Sequence, residues 1–83
     1  MHVHIRYMAA LRDRLGEGET TLDLPPDVSD SETLIAHLTA SDAAAAALAA
    51  PEIRLIRNDR IVTRPSALED GDRLAFCPPF TGG

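Results

Sequence analysis

The chain has no lysine and no tryptophan, a single cysteine, and only one Tyr and two Phe as aromatics. Each shortage removes a class of chemistry. Without lysine no side chain can form a Schiff base or accept an isopeptide bond, and all eight basic residues are arginines. One cysteine, Cys77, cannot close an internal disulfide. So few aromatics imply an aliphatic core. No basic stripe interleaved with aromatic residues offsets a formal net charge of −5 and a pI near 4.9, so nucleic acid is excluded as an expected partner. No long apolar run or cleavable apolar leader points to membrane insertion or export, and a cytoplasmic location is expected. At 83 residues the chain makes one domain that buries roughly 60–65% of its unfolded surface, too little to enclose a deep active site.

What is present has a clear order. Met1–Tyr7 alternates apolar with polar residues, the period of a strand with one buried face, and Val3, Ile5 and Tyr7 are expected inside. Met8–Leu15 reads as a short helical segment ended by Gly16 as a left-handed cap. Thr20, Leu22 and Leu24 alternate in a second strand that Pro25-Pro26 stops. Ser29-Asp30-Ser31-Glu32 offers a capping box for the main helix, whose Leu34, Ile35 and Leu38 share one face. Ser41–Ala50 is nearly pure alanine, with Asp42 as N-cap and Pro51 as stop, and reads as a short second helix packed through Leu48. Ile53–Ile56, the turn Asn58-Asp59 and Ile61-Val62 predict a hairpin. Leu68 plugs the following loop, Asp70-Gly71-Asp72 turns the chain, and Arg73–Cys77 forms the last strand with Leu74 and Phe76 on one face.

Two strands, a helix, two strands and a final strand make an α+β chain of the β-grasp, or ubiquitin-like, kind. A mixed sheet of about five strands packs one face on a helix, and the last strand pairs with the first. The other face, with His2, His4, Arg6, Ala75 and Cys77, stays open to a partner. Residues 1–77 form the domain and residues 78–83 an extended tail. In that tail Pro78-Pro79 fix the exit direction, and Gly82-Gly83 can thread a passage too narrow for side chains. Six residues reach roughly 20 Å when extended. Phe80, a large apolar residue on a polar tail, is a candidate partner anchor.

Three stretches carry a family resemblance. Tyr7-Met8-Ala9-Ala10-Leu11-Arg12-Asp13-Arg14-Leu15-Gly16, Leu68-Glu69-Asp70-Gly71-Asp72-Arg73-Leu74-Ala75-Phe76 and Phe76-Cys77-Pro78-Pro79-Phe80-Thr81-Gly82-Gly83 resemble, in the same order, the MoaD-like small subunits of molybdopterin synthase. The paired prolines are the most specific pointer to that branch of the ubiquitin-like sulfur carriers. Met8 stands where the family often has a second aromatic, and Arg57 where an aliphatic residue is usual.

The resemblance implies a sulfur carrier that performs no catalysis with its own side chains and binds no cofactor. An adenylating enzyme of the ubiquitin-activating type would join the Gly83 carboxylate to AMP from MgATP, and a persulfide donor would then supply sulfur to give a thiocarboxylate. The larger, catalytic synthase subunit would receive the tail, with Gly83 carrying sulfur, Gly82 keeping the approach narrow, Thr81 and Phe80 lining the tunnel, and Pro78 and Pro79 setting its direction. Sulfur would pass to a pterin precursor of the molybdenum-binding dithiolene. A carrier for thiamin, cysteine or tRNA thiolation, and a ubiquitin-like protein modifier, remain open alternatives.

Other residues are assigned no chemistry. His2 and His4 share a strand face, but two ligands without a nearby Cys, Asp or Glu make a weak metal site. Cys77 has no evident base beside it and reads as a packing or interface thiol. Asp70-Gly71-Asp72 lacks the downstream acidic ligand of a calcium loop and reads as a strand-entry turn.

Overall fold

The computed structural model describes residues 1–79. The elements, in chain order, are β1 (His2–Tyr7), α1 (Ala10–Leu15), β2 (Glu19–Asp23), α2 (Ser31–Ser41), a 3-10 helix (Ala43–Ala49), β3 (Arg54–Arg57), β4 (Arg60–Val62) and β5 (Arg73–Cys77). The five strands form one mixed sheet in the order β2-β1-β5-β3-β4. β5 lies parallel to β1 and antiparallel to β3, so the last strand is central. This is the β-grasp architecture that the element order predicts.

Alternation decides which side of the sheet is wet. Val3, Ile5 and Tyr7 of β1, Leu55 of β3, and Leu74 and Phe76 of β5 are buried in one core with Leu34 and Ile35 of α2. Ile5, Leu34, Leu55 and Phe76 are each 0% exposed. The Tyr7 and Phe76 rings stack with centroids 6.3 Å apart. Of the apolar residues from Met8 to Leu15 only Leu11 is buried, and Gly16 caps this helix at φ 78° as expected.

The main helix starts one residue later than the sequence motif places it. Asp30, not Ser29, is the N-cap: its carboxylate accepts from the Thr33 amide at 2.8 Å, and the Thr33 hydroxyl accepts from the Asp30 amide at 3.1 Å. Aspartate at the cap carries a full charge toward the helix N-terminus, which a serine cannot. Glu32 is thereby released to meet Arg64 at 2.9 Å, and Arg64 also donates to the Ala50 and Ile53 carbonyls. The alanine segment is a 3-10 helix rather than an α-helix, capped by Asp42 and packed through Ala45 and Leu48.

The turn that launches β5 is stitched to both sides of the sheet. Asp70 accepts from the His2 amide at 2.7 Å, and the Gly71 amide, at φ 85°, donates to the His2 carbonyl at 2.7 Å. Asp72 is 5% exposed. Its carboxylate accepts from Arg57 Nε at 2.7 Å, the Asn58 side-chain amide at 2.8 Å and the Glu69 backbone amide at 2.8 Å. Asn58 and Asp59 take φ of 51° and 70°, the tight hairpin turn expected of that pair. Asn58 returns to β5, accepting from the Arg73 amide at 2.9 Å. Arg57, unusual for the resembling family, is therefore the half-buried partner of a buried carboxylate. Burial pushes the Asp72 carboxyl up, but the bonds from Arg57, Glu69 and Asn58 outweigh it and hold the group below its ordinary range.

Two outcomes test this account. Asp72→Ala strands Arg57 and the Glu69 amide and should cost about 2–3 kcal/mol in urea unfolding. Because the folded value is depressed, Asp72 stabilises the fold above the unfolded carboxyl range near about 4, and that share is lost as pH falls through the folded value. Asp72→Asn should flatten this part of the acid limb. Leu48→Ala should cost about 3 kcal/mol, whereas the exposed Ala46→Ser should change stability by less than about 0.5 kcal/mol.

Candidate functional site

The point where β5 leaves the sheet is the candidate site. Cys77, its last residue, lies opposite Arg54 of β3. Pro78 is half-buried and Pro79 exposed, neither in a strand. Proline lacks the N–H that would extend the ladder, and β5 stops there where its neighbours also end, Tyr7 opposite Phe76 and Arg54 opposite Cys77. The expected tail residues Phe80, Thr81, Gly82 and Gly83 lie outside the described residues.

Strand register assembles the open face beside this exit. His4 stands beside Thr21 and Arg73, Arg6 beside Glu19 and Ala75, and Ile56 beside Ala75 and Ile61. The centre of this face is apolar, with Ala75, Ile56 and Ile61, the last 65% exposed. Its rim carries both charges. Arg6 pairs with Glu19 at 3.5 Å and Arg73 with Asp59 at 2.9 Å, while Arg54 stands exposed beside the exit. A shallow depression of about 510 Å³ lies among His4, Arg6, Met8, Ile56, Arg73 and Ala75.

The sequence placed His2, His4, Arg6, Ala75 and Cys77 on this face, and the strand register puts them there. It missed two features. Arg54 and Arg73 gather with Arg6 because strands distant in sequence lie side by side, with Glu19 and Asp59 paired to Arg6 and Arg73. The histidines do have acidic neighbours, since β2 sets Asp23 3.7 Å from His2 and Glu19 3.9 Å from His4. Those are long contacts between exposed groups. Among the described residues no three His, Cys, Asp or Glu converge on a metal-sized site.

The Cys77 thiol is half-buried and lies 3.4 Å from the Pro78 carbonyl. A carbonyl does not activate a thiol as a base, so the geometry fits a packing role. No helix of the described residues is long and apolar enough to cross a membrane.

Known proteins share both sequence and shape. Residues 5–83 match the ThiS family. The Molybdopterin synthase sulfur carrier subunit of Escherichia coli (strain K12) is 33% identical over 82 residues, 98% of this chain and 99% of that one. The solution structure of the Haloferax volcanii HVO 2177 protein superposes with a TM-score of 0.79 at 24% identity, covering 100% of this chain and 87% of that one. A structure described as the protein-protein complex of subunit 1 and 2 of Molybdopterin-converting factor from Helicobacter pylori 26695 superposes with a TM-score of 0.68 at 21% identity, covering 100% of each chain. The fold built around β5, the three motifs in their order and a match running through Gly83 agree: the chain belongs to the ThiS family of ubiquitin-like sulfur carriers.

Proposed function

We propose that the chain is the sulfur-carrying subunit of a molybdopterin synthase, with sulfur held as a thiocarboxylate at Gly83. The observation that carries this is the central β5 strand, which leads into Pro78-Pro79-Phe80-Thr81-Gly82-Gly83 beside an open face. Identity of 33% to the Escherichia coli sulfur carrier subunit across nearly the whole of both chains supports the molybdopterin branch.

The chemistry follows from the electrophile. A carboxylate resists attack by sulfur, so an adenylating enzyme first converts it to an acyl adenylate, releasing pyrophosphate from MgATP. A persulfide displaces AMP, leaving an acyl disulfide, and a second thiol reduces this to the thiocarboxylate. That group is anionic at neutral pH and a soft nucleophile, so it requires no base from this chain. Acid-base groups and the cations that hold a phosphorylated pterin belong to the larger subunit.

The open face serves as the dock. Its apolar centre of Ala75, Ile56 and Ile61, ringed by Arg6, Arg54 and Arg73 with Glu19 and Asp59 among them, suits a partner surface with an apolar patch and a rim of both charges. Docking there fixes the tail root, and the two prolines limit the tail's conformational freedom before it enters the partner.

An Escherichia coli strain lacking its own sulfur carrier subunit should regain molybdoenzyme activity with this chain. Deleting Gly83 should abolish the rescue, and Cys77→Ser should retain it. Rescue of a thiamin requirement in place of molybdoenzyme activity would redirect the sulfur to another pathway. Ile61→Asp should leave stability within about 0.5 kcal/mol and weaken binding to the larger subunit at least about tenfold, as read by calorimetry.

A further inference from the structure

A second concave site lies on the other side of the sheet. Tyr7 of β1, Leu22 of β2 and Leu38 of α2 enclose a cavity of about 210 Å³ whose mouth carries Glu17, His37 and Asp42. At about 30 Å³ per water, this is room for about seven waters, or for one short alkyl chain with a polar head. Its walls are apolar and its mouth is acidic.

Two observations show that the cavity is not simply a packing gap. Tyr7 is 5% exposed, yet its hydroxyl makes no hydrogen bond with the described residues. Among the described residues no fully enclosed side-chain polar atom lacks a partner, so that oxygen is not sealed in the core, and Glu17 and Asp42, which line the cavity with Tyr7, act on it. Glu17 and Asp42 line the same cavity, and among the described residues neither joins an ion pair. Asp42 uses Oδ1 to cap the 3-10 helix through the Ala44 amide at 3.0 Å, leaving its second oxygen available.

We propose that this cavity binds an organic cation, an ammonium or guanidinium group on a short aliphatic stem. The stem lies along Leu22 and Leu38, and the head donates to the Tyr7 hydroxyl and the carboxylates of Glu17 and Asp42. A metal ion is a poorer fit, because these acids do not converge with a third ligand among the described residues. The field at the phenol has the matching sign. Burial, with Glu17 and Asp42 adding to it, pushes Tyr7 up to about 12, and the negative potential that resists a phenolate attracts a cation. The chain has no lysine, and none of its eight arginines lines the cavity. The ligand is therefore either a free amine or a basic side chain presented by another protein. This site is independent of the sulfur-carrying tail and stands or falls separately from it.

The test is an amide NMR titration of the full chain with butylammonium, with butanol as the uncharged probe of similar shape, at about pH 8, where an ordinary imidazole carries no charge. Butylammonium should give saturable shifts at Leu22, Leu38 and Asp42 with a Kd on the order of 1 mM, and butanol should bind at least about tenfold more weakly. The double variant Glu17→Gln, Asp42→Asn keeps a capping side chain at position 42 and should lose about tenfold in affinity. Tyr7→Phe, which keeps the ring packed, should weaken binding and leave the carrier function intact. Equal binding of the alcohol, no saturation with butylammonium, or unchanged binding in the double variant would each overturn the proposal. The alcohol comparison uses the unaltered chain, so it decides the matter even if a variant fails to fold. A capped lysine that binds more tightly than butylammonium assigns the site to a protein side chain, and the reverse order assigns it to free amines.

Discussion

Everything in this molecule depends on β5 being held between β1 and β3. A strand paired on both sides and buried on one face cannot slip by a residue without turning Leu74 and Phe76 into water and Ala75 into the core. The turn before it adds a polar lock. Asp72 gathers Arg57, Asn58 and the Glu69 amide at one carboxylate, while Asp70 and Gly71 tie the same turn to the start of β1. The strand that precedes the tail is therefore held on both sides and at its start.

That anchoring has a functional consequence. A terminal group that another protein must capture benefits from a fixed root and a narrow, preorganised lead, because ordering a long loose tail on binding costs entropy. The root here is Cys77, opposite Arg54 in the sheet, and the lead begins at Pro78-Pro79. The open face beside the root has an apolar centre and an arginine rim, although the chain as a whole carries a net charge of −5. Net charge describes long-range attraction, whereas docking is decided by the local surface.

Much of this was visible in the residues because strand period and turn chemistry are local. The alternation of Val3, Ile5 and Tyr7, the Asn58-Asp59 turn, and Gly16 and Gly71 at positive φ need only neighbouring residues to be understood. What escaped depends on residues far apart. The Arg57–Asp72 pair spans the hairpin and the last strand, and the arginine rim forms only after β1, β3 and β5 are laid side by side. The helix start moved from Ser29 to Asp30 because two capping motifs overlap there, and Glu32 has a better partner in Arg64, which a later loop supplies. Alanine propensity pointed to an α-helix after Asp42, but only Ala45 and Leu48 are buried in that segment, and a tighter 3-10 turn seats both against the core.

The central claim is that the working atom is the carbonyl carbon of Gly83 and that the rest of the chain presents it. Top-down mass spectrometry of the chain made together with its adenylating enzyme and sulfur donor tests this most directly, because backbone fragmentation locates the added sulfur. The account predicts one oxygen replaced by sulfur in fragments containing Gly83 and nowhere else. Sulfur found on Cys77, or Gly83 found joined to a lysine of another protein with no thiocarboxylate present, would contradict it.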